Sequence, residues 1–250
     1  MNLRFFFGLA FAAIALLMGM SGPSSAEPTS KANTAFENGI EAYRTGDVET
    51  AVGEWTKASA GGHPLASYLL GELYDQGRGV KKSPSLAFQY YERAADEGQA
   101  VAGVKVGLVY RDGDKSLGIK KNYIKAIKYF EDGALQAWPP SQYYLADMYR
   151  RGLGVPMERS EGLRWLLLAA KKKYAPAMLE IAKVHFGGEG VLPDRVKGWS
   201  FIELASRYAD PDQRGQVDAA MDKYSKRMKS GEKEAGKTEA DAWAAKYIPN

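Results

Sequence analysis

The sequence contains no cysteine and only two histidines. The missing cysteines exclude a disulfide framework, thiol catalysis and cysteine-ligated metal sites. His63 precedes a proline in a loop, and His185 stands at an aromatic position of a helical pattern, so both are interpreted as structural residues. Two isolated histidines without acidic neighbours do not form a metal site. We therefore expect no metal and no cofactor.

A charge of one sign does not dominate either. The chain has 34 basic and 30 acidic residues, and the net charge of +4 is a small surplus rather than a basic patch. Short runs such as Lys171 to Lys173 are typical of a solvated helix end, so a nucleic-acid partner is not expected. Phosphate loops, dinucleotide fingerprints and Gly-x-Ser-x-Gly motifs are also missing. These absences argue against an enzyme.

The first 26 residues are the one long apolar segment. Arg4 supplies a positive start, Phe5 to Met18 carries no charge, and Ser24 to Ala26 offers small residues before a cut. This pattern predicts a secretory signal peptide over residues 1–26, cleaved after Ala26, and a periplasmic or secreted mature protein. The apolar run is short for a bilayer span, and a lipoprotein would need a cysteine at the cut. An uncleaved N-terminal anchor is the alternative.

The rest of the chain repeats about every 36 residues. The clearest copy of the first motif runs from Gly71 to Val80. Its other copies are Tyr110 to Ile119, Tyr149 to Val155 and His185 to Val191. A second motif follows each first one, at Ala87 to Ala95, Ala126 to Ala134, Gly162 to Ala170 and Gly198 to Ala205. The second copy of the first motif carries extra residues between Gly113 and Gly118. A period of this length is typical of solenoid repeats.

Each part of the repeat has a physical role. Small residues such as Gly71 and Ala87 let two helices approach closely, and aromatic residues fill the space between neighbours. The loop glycines Gly77 and Gly79 can adopt the positive φ angles that end one helix and begin a turn. A single helix pair cannot bury its apolar face, so stacking must do so. The pattern predicts an all-α protein, an α/α solenoid of antiparallel helix pairs wound as a right-handed superhelix.

These motifs resemble the Sel1-like repeat family, a relative of the tetratricopeptide repeats. The resemblance rests on Leu70, Gly71, Tyr74, Gly77, Gly79, Val80, Ala87, Tyr90, Tyr91, Ala94, Ala95 and Gly98. It covers residues 36–206, with four Sel1-like units after a shorter first pair at Gly39 to Ala58. Ala146 and Ala182 replace the packing glycine, and His185 replaces the tyrosine. Residues 27–35 are interpreted as a linker, and residues 207–250 as two capping helices that break between Gly231 and Gly236.

The family resemblance also suggests where a partner binds. In superhelical repeats the first helix of each pair lines the concave surface, and several of its polar and aromatic residues are not needed for the core. The candidate protein-binding residues are Tyr68, Glu72, Asp75, Arg111, Tyr143, Asp147, Arg150 and Lys183. Ordinary solvent exposure is the alternative interpretation of these eight side chains.

Two functions from different classes remain open at this point. The resemblance implies a scaffold that holds a protein or peptide, as in exported family members that restrain a membrane sensor kinase, regulate exopolysaccharide synthesis or act in envelope assembly. The alternative is a cell-wall-binding or β-lactam-hydrolysing enzyme of the cysteine-rich repeat type. The missing cysteines disfavour that alternative. The identity and oligomeric state of the complex are not encoded in any motif.

Overall fold

The computed structural model describes residues 28–248. The predicted signal peptide and its cleavage position lie outside the described residues. Within them the chain forms twelve helices joined by short loops. The helices are α1 (Ser30–Thr45), α2 (Val48–Ala60), α3 (Pro64–Gln76), α4 (Pro84–Asp96), α5 (Ala100–Asp112), α6 (Tyr123–Leu135), α7 (Pro139–Arg151), α8 (Arg159–Lys171), α9 (Ala175–Gly187), α10 (Arg195–Tyr208), α11 (Arg214–Ser225) and α12 (Glu232–Tyr247).

The described helices belong to two compact units. Residues 28–136 hold α1 to α6, and residues 137–248 hold α7 to α12. In the first unit, α1 packs on α2, α3 on α4, and α5 on α6. In the second, α7 packs on α8 and α9 on α10, while α11 and α12 both pack on α10. Because successive helices pair and strands are missing from residues 28–248, the predicted all-α solenoid class is confirmed. The handedness of the superhelix stays a prediction.

The helix boundaries follow local chemistry. The Ser83 hydroxyl accepts a hydrogen bond from the Leu86 amide at 3.3 Å, and Pro84 fills the next position, where no amide donor is needed. Helix α3 is capped by Gly77, which follows its last residue and has a φ of 71° in the left-handed region. Gly79 has φ of 67°. Both loop glycines therefore have the conformation that the repeat pattern predicted.

Within each pair of the first unit, a glycine on the first helix faces an aromatic ring on the second. A Cβ atom added at Gly71 would lie 2.6 Å from Tyr91 Cδ1, far inside ordinary contact distance. The same holds for Gly39 against Trp55 (2.4 Å) and for Gly107 against Phe130 (2.5 Å). The absence of a side chain is thus what lets these large rings fill the space between the helices.

The second unit solves the same packing problem with different residues. Ala146 and Ala182 stand where the first unit has glycine. The facing positions on the second helices hold Leu166 and Ile202, which are buried with them in one hydrophobic cluster. A larger first-helix residue is therefore matched by a smaller second-helix residue, which conserves the packed volume. The two substitutions noticed in the sequence are compensated rather than disruptive.

Candidate protein-binding surface

Tyr68 and Glu72 lie one turn apart on α3, and both are half-buried. The Tyr68 ring packs against the Tyr91 ring with centroids 5.8 Å apart. The Glu72 carboxylate accepts a hydrogen bond from the Tyr91 hydroxyl at 2.7 Å and pairs with Lys105 Nζ at 3.0 Å. Glu72 therefore connects its own helix to α4 and, through Lys105, to the first helix of the next pair.

The electrostatics of this cluster keep its charges fixed at neutral pH. Burial acts to raise the pKa of Glu72, but the Tyr91 hydrogen bond and the Lys105 charge together lower it. Burial and the Glu72 carboxylate raise the pKa of Tyr68 and of Tyr91 well above the usual range of tyrosine. Both phenols therefore remain protonated, and the Tyr91 hydroxyl remains a donor to an ionised carboxylate.

In the second unit a link between successive helix pairs is made by Arg150, near the end of α7. Its guanidinium donates to Glu180 Oε2 at 3.1 Å and to Glu189 Oε2 at 2.7 Å. Burial acts to lower the pKa of Arg150, but these two carboxylates raise it. The stem of Arg150 lies over Gly162, where an added Cβ would come within 2.4 Å of Arg150 Cγ. Gly162 thus leaves the room in which Arg150 reaches α9.

The remaining predicted residues of the second unit lie on the same helices. Tyr143 on α7 contacts the Tyr174 ring at 5.8 Å, and burial raises its pKa to about 12. Asp147 accepts a hydrogen bond from Arg151 at 3.2 Å. Lys183 on α9 forms an ion pair with Glu180. Tyr143 and Asp147 are half-buried, whereas Lys183 is exposed.

The last two predicted residues lie near the ends of α3 and α5. Arg111 is half-buried, and its guanidinium donates to both oxygens of its neighbour Asp112 at 2.9 and 2.7 Å. Asp75 is half-buried and lies at the rim of a cavity described below. All eight residues are therefore on first helices, four in each unit. Seven of them are half-buried and Lys183 is exposed, and the role of the group stays a prediction.

Lys105 and Glu180 are functional candidates that the sequence analysis missed. Each lies five positions before the aromatic position of its repeat, at Tyr110 and His185 respectively. Each pairs with a predicted residue of the preceding helix pair, Lys105 with Glu72 and Glu180 with Arg150. The Arg150–Glu180 pair spans 30 residues and the Glu72–Lys105 pair spans a different number, so no common spacing along the sequence marks the two partners.

A cavity of about 320 Å³ opens beside Asp75 in the first unit. Its walls come from α3, α4, α5 and the loop after α5. They include Phe88, Leu108, Leu117 and Asp114. The loop is the segment with extra residues noticed in the sequence, and it closes on itself through paired hydrogen bonds of 2.8 Å between Asp114 and Ile119. Sequence alone located the insertion but not the cavity beside it.

Both histidines have structural positions. His63 caps α3, because its Nδ1 atom accepts a hydrogen bond from the Ala66 amide at 3.2 Å, and its ring stacks on Phe36 at 4.0 Å. His185 is buried at the end of α9 beside Phe201. Among residues 28–248 no group of three or more potential ligands could hold a metal ion. Nor does any helix in that range have the length and apolar character needed to cross a membrane.

Comparison with protein-family models places repeats on these helix pairs. The Sel1 repeat model matches residues 64–99, 102–137, 139–174 and 175–207, together more than half of the chain. Among solved structures, a Sel1 repeat protein from Oxalobacter formigenes is 26% identical, with a TM-score of 0.64 over 86% of this chain and 83% of that one. The protective antigen c5321 of uropathogenic Escherichia coli, which has an SLR fold, gives a TM-score of 0.72 at 22% identity. This chain spans 46% of that structure's length.

Several curated relatives carry names that refer to polysaccharide production. The "Exopolysaccharide production negative regulator" of Rhizobium leguminosarum bv. viciae is 25% identical over 236 residues, which cover 87% of each chain. The protein of the same name from Rhizobium meliloti is 25% identical over 75% of this chain and 72% of its own length. The alginate biosynthesis protein AlgK of Pseudomonas syringae pv. tomato is 28% identical, but the match covers only 30% of that protein.

Proposed function

The chain belongs to the Sel1 repeat family, and from that membership we propose that it is an exported, non-catalytic scaffold that binds an envelope protein and thereby represses exopolysaccharide production. The observation that carries the proposal is the similarity to the R. leguminosarum regulator, which extends over 87% of both chains. A match of that extent includes the helices outside the four repeats as well as the repeats themselves.

Two properties of the molecule support a scaffold. The first helices present partly accessible aromatic and charged side chains that are already held in place by ion pairs, such as Glu72 with Lys105. Side chains fixed in this way lose little conformational entropy when a partner binds. The apolar leader with its small-residue cleavage site supports export, because the envelope is where a partner that controls polysaccharide secretion would be reached.

The proposal is tested by deleting the gene in its own bacterium and measuring secreted exopolysaccharide. We expect more polysaccharide, restored to the normal level by the full chain but not by a chain that lacks residues 2–26. Unchanged polysaccharide after deletion would contradict the regulatory role. Restoration by the leaderless chain would contradict export while leaving regulation in place.

The predicted binding surface is tested in the same complementation assay and by affinity for the envelope partner captured by crosslinking. Tyr68→Ala combined with Tyr143→Ala should weaken binding by about thirtyfold, since an aromatic anchor at an interface contributes about 2 kcal/mol or more. The matched control combines Lys128→Ala with Arg164→Ala on second helices, where binding should be unchanged. Equal affinities for both double variants would move the binding site away from the first helices.

The non-catalytic part of the proposal has a simple assay. The purified mature chain should leave a chromogenic β-lactam intact over hours, at a rate indistinguishable from buffer. Hydrolysis that follows protein concentration would favour the enzymatic alternative raised by the sequence.

A further inference from the structure

The cavity beside Asp75 is lined by short side chains at two positions where other repeats carry a different combination of residues. In the two repeats of the second unit, Arg150 and Phe186 occupy the position that corresponds to Asp75. Arg150 packs over Gly162 on α8, and Phe186 packs over Gly198 on α10. At the repeat formed by α3 and α4 the corresponding residues are Asp75 and Ala87, and both line the cavity. The α3–α4 repeat therefore has an opening at the position that the Arg150 and Phe186 side chains fill in the second unit.

The lining of the cavity is apolar with an acidic rim. Phe88, Leu108 and Leu117 are half-buried and leave part of their surface facing the opening. The charged lining residues are Asp75, Asp114 and Lys105. Lys105 forms an ion pair with Glu72 at 3.0 Å, and Glu72 does not line the cavity, so the positive charge of Lys105 is already neutralised.

The two carboxylates remain available. Asp114 uses Oδ1 to accept hydrogen bonds from the Ser116 amide and hydroxyl and from the Leu117 amide, which lowers its pKa. Its Oδ2 atom has no such contact among the described residues. The Asp75 side chain forms neither a hydrogen bond nor an ion pair within residues 28–248, and its charge contributes to raising the pKa of Tyr91. The rim therefore carries uncompensated negative charge beside an apolar opening.

We propose that this cavity receives one large apolar side chain of a peptide partner, and that a lysine or arginine next to it in the partner sequence pairs with Asp75 and Asp114. The inference rests on the proposed function, since it specifies the kind of partner segment that the scaffold holds. A volume of about 320 Å³ is near the lower end for ligand cavities. It accommodates a leucine or phenylalanine side chain with part of its backbone, and it is too small for a docked helix.

The test is a titration of the purified mature chain with defined peptides, followed by methyl NMR of Leu108 and Leu117. The probe is acetyl-Gly-Arg-Leu-Arg-Gly-amide. Two comparison peptides replace the leucine by alanine or both arginines by glutamate. We expect saturable shifts of both methyl signals with the probe, and affinity lower by about tenfold or more for the alanine peptide, because burial of the leucine side chain is lost. The glutamate peptide should produce no saturable shift.

The charge component is tested by combining Asp75→Asn with Asp114→Asn. Asparagine keeps the size of both side chains and the acceptor oxygen that organises the loop at Asp114, so the fold is expected to survive. Affinity for the probe should fall about fivefold through the loss of two exposed ion pairs. The matched control combines Glu37→Gln with Glu49→Gln, which removes the same charge from exposed positions on α1 and α2 and should leave affinity unchanged.

Absence of saturable shifts with the probe, or equal binding of the arginine and glutamate peptides, overturns the inference. An equal loss of affinity in both double variants also overturns it, because the effect would then be that of net charge. These outcomes are separable from failure of the proposed function. If the cavity binds no peptide but gene deletion still raises exopolysaccharide, only the binding site is wrong. If the probe binds as expected but deletion has no effect, the regulatory role is wrong.

Discussion

Replacing Gly71 by alanine is the smallest change that tests how the helix pairs are packed. The added methyl would lie 2.6 Å from Tyr91 Cδ1, whereas ordinary contact begins near 3.4 Å. The ring cannot move away easily, because its hydroxyl donates to Glu72 at 2.7 Å and Lys105 lies 4.8 Å from its centroid. Overpacking of this kind costs about 1–3 kcal/mol. Alanine returns about 0.5–1 kcal/mol through its helix propensity, so we expect a net loss between about 0 and 2.5 kcal/mol.

The assay is urea unfolding followed by far-UV circular dichroism, with Gly53→Ala as the control. Gly53 lies in the middle of α2, is exposed, and has no atom within 4 Å of an added Cβ. There the same substitution should stabilise the protein by about 0.5–1 kcal/mol. The two substitutions are therefore expected to shift the unfolding midpoint in opposite directions.

A second substitution makes the test more specific. Tyr91→Leu introduces the residue that faces Ala146 in the second unit, so Gly71→Ala with Tyr91→Leu copies a combination that the chain already uses. The double variant should be more stable than the sum of the two single losses predicts, by about 1 kcal/mol or more. If Gly71→Ala is stabilising, the close contact does not exist. If the two losses simply add, glycine and ring size are not matched to each other.

Three further predictions concern pH, the C-terminal helices and export. Burial lowers the pKa of His63 and of His185, so both are neutral in the fold; stability should be full above about pH 6.5 and fall as the pH drops below it. His63→Asn, which keeps a cap for α3, should reduce that fall in acid urea titrations, and an unchanged pH profile would show that His63 does not titrate with unfolding. Hydrogen bonds from Arg195 lower the pKa of Glu232 to about 2; Glu232→Gln should speed amide hydrogen exchange in α12, while equal exchange rates would show that the pair does not hold the helix. Sequencing of the exported protein should give Glu27 as its first residue, and an intact N-terminal methionine would contradict cleavage.

The features that could be predicted from the sequence are those determined within a single repeat. Helix starts such as Ser83 and turn glycines such as Gly77 are determined by residues within a few positions, so their pattern could be read directly. The candidate binding residues Tyr68, Glu72, Tyr143 and Asp147 follow from register on α3 and α7, and their role in binding stays a prediction. The ion pairs of these residues could not be predicted in the same way. The partner of Glu72 depends on how one helix pair stacks on the next, and no local spacing in the sequence specifies that.

The cavity was unpredictable for a related reason. It depends on the combined volumes of Asp75, Ala87 and the side chains opposite them, and none of these residues is unusual by itself. The inserted loop was visible as extra residues after Gly113. Whether that loop would cover the neighbouring helices or leave an opening beside them depends on side-chain contacts over several elements, which a pattern along one chain does not contain.

The matching of small and large residues has a consequence for how such a chain can lengthen. Gly71 and Tyr91, or Ala146 and Leu166, belong to the same helix pair, so a gene duplication that copies one pair copies both halves of its packing solution. The ion pairs of Glu72 with Lys105 and of Arg150 with Glu180 instead join successive pairs. A newly inserted repeat would therefore keep the packing between its own two helices but would begin without these cross-links, and its junctions are where later point mutations would accumulate.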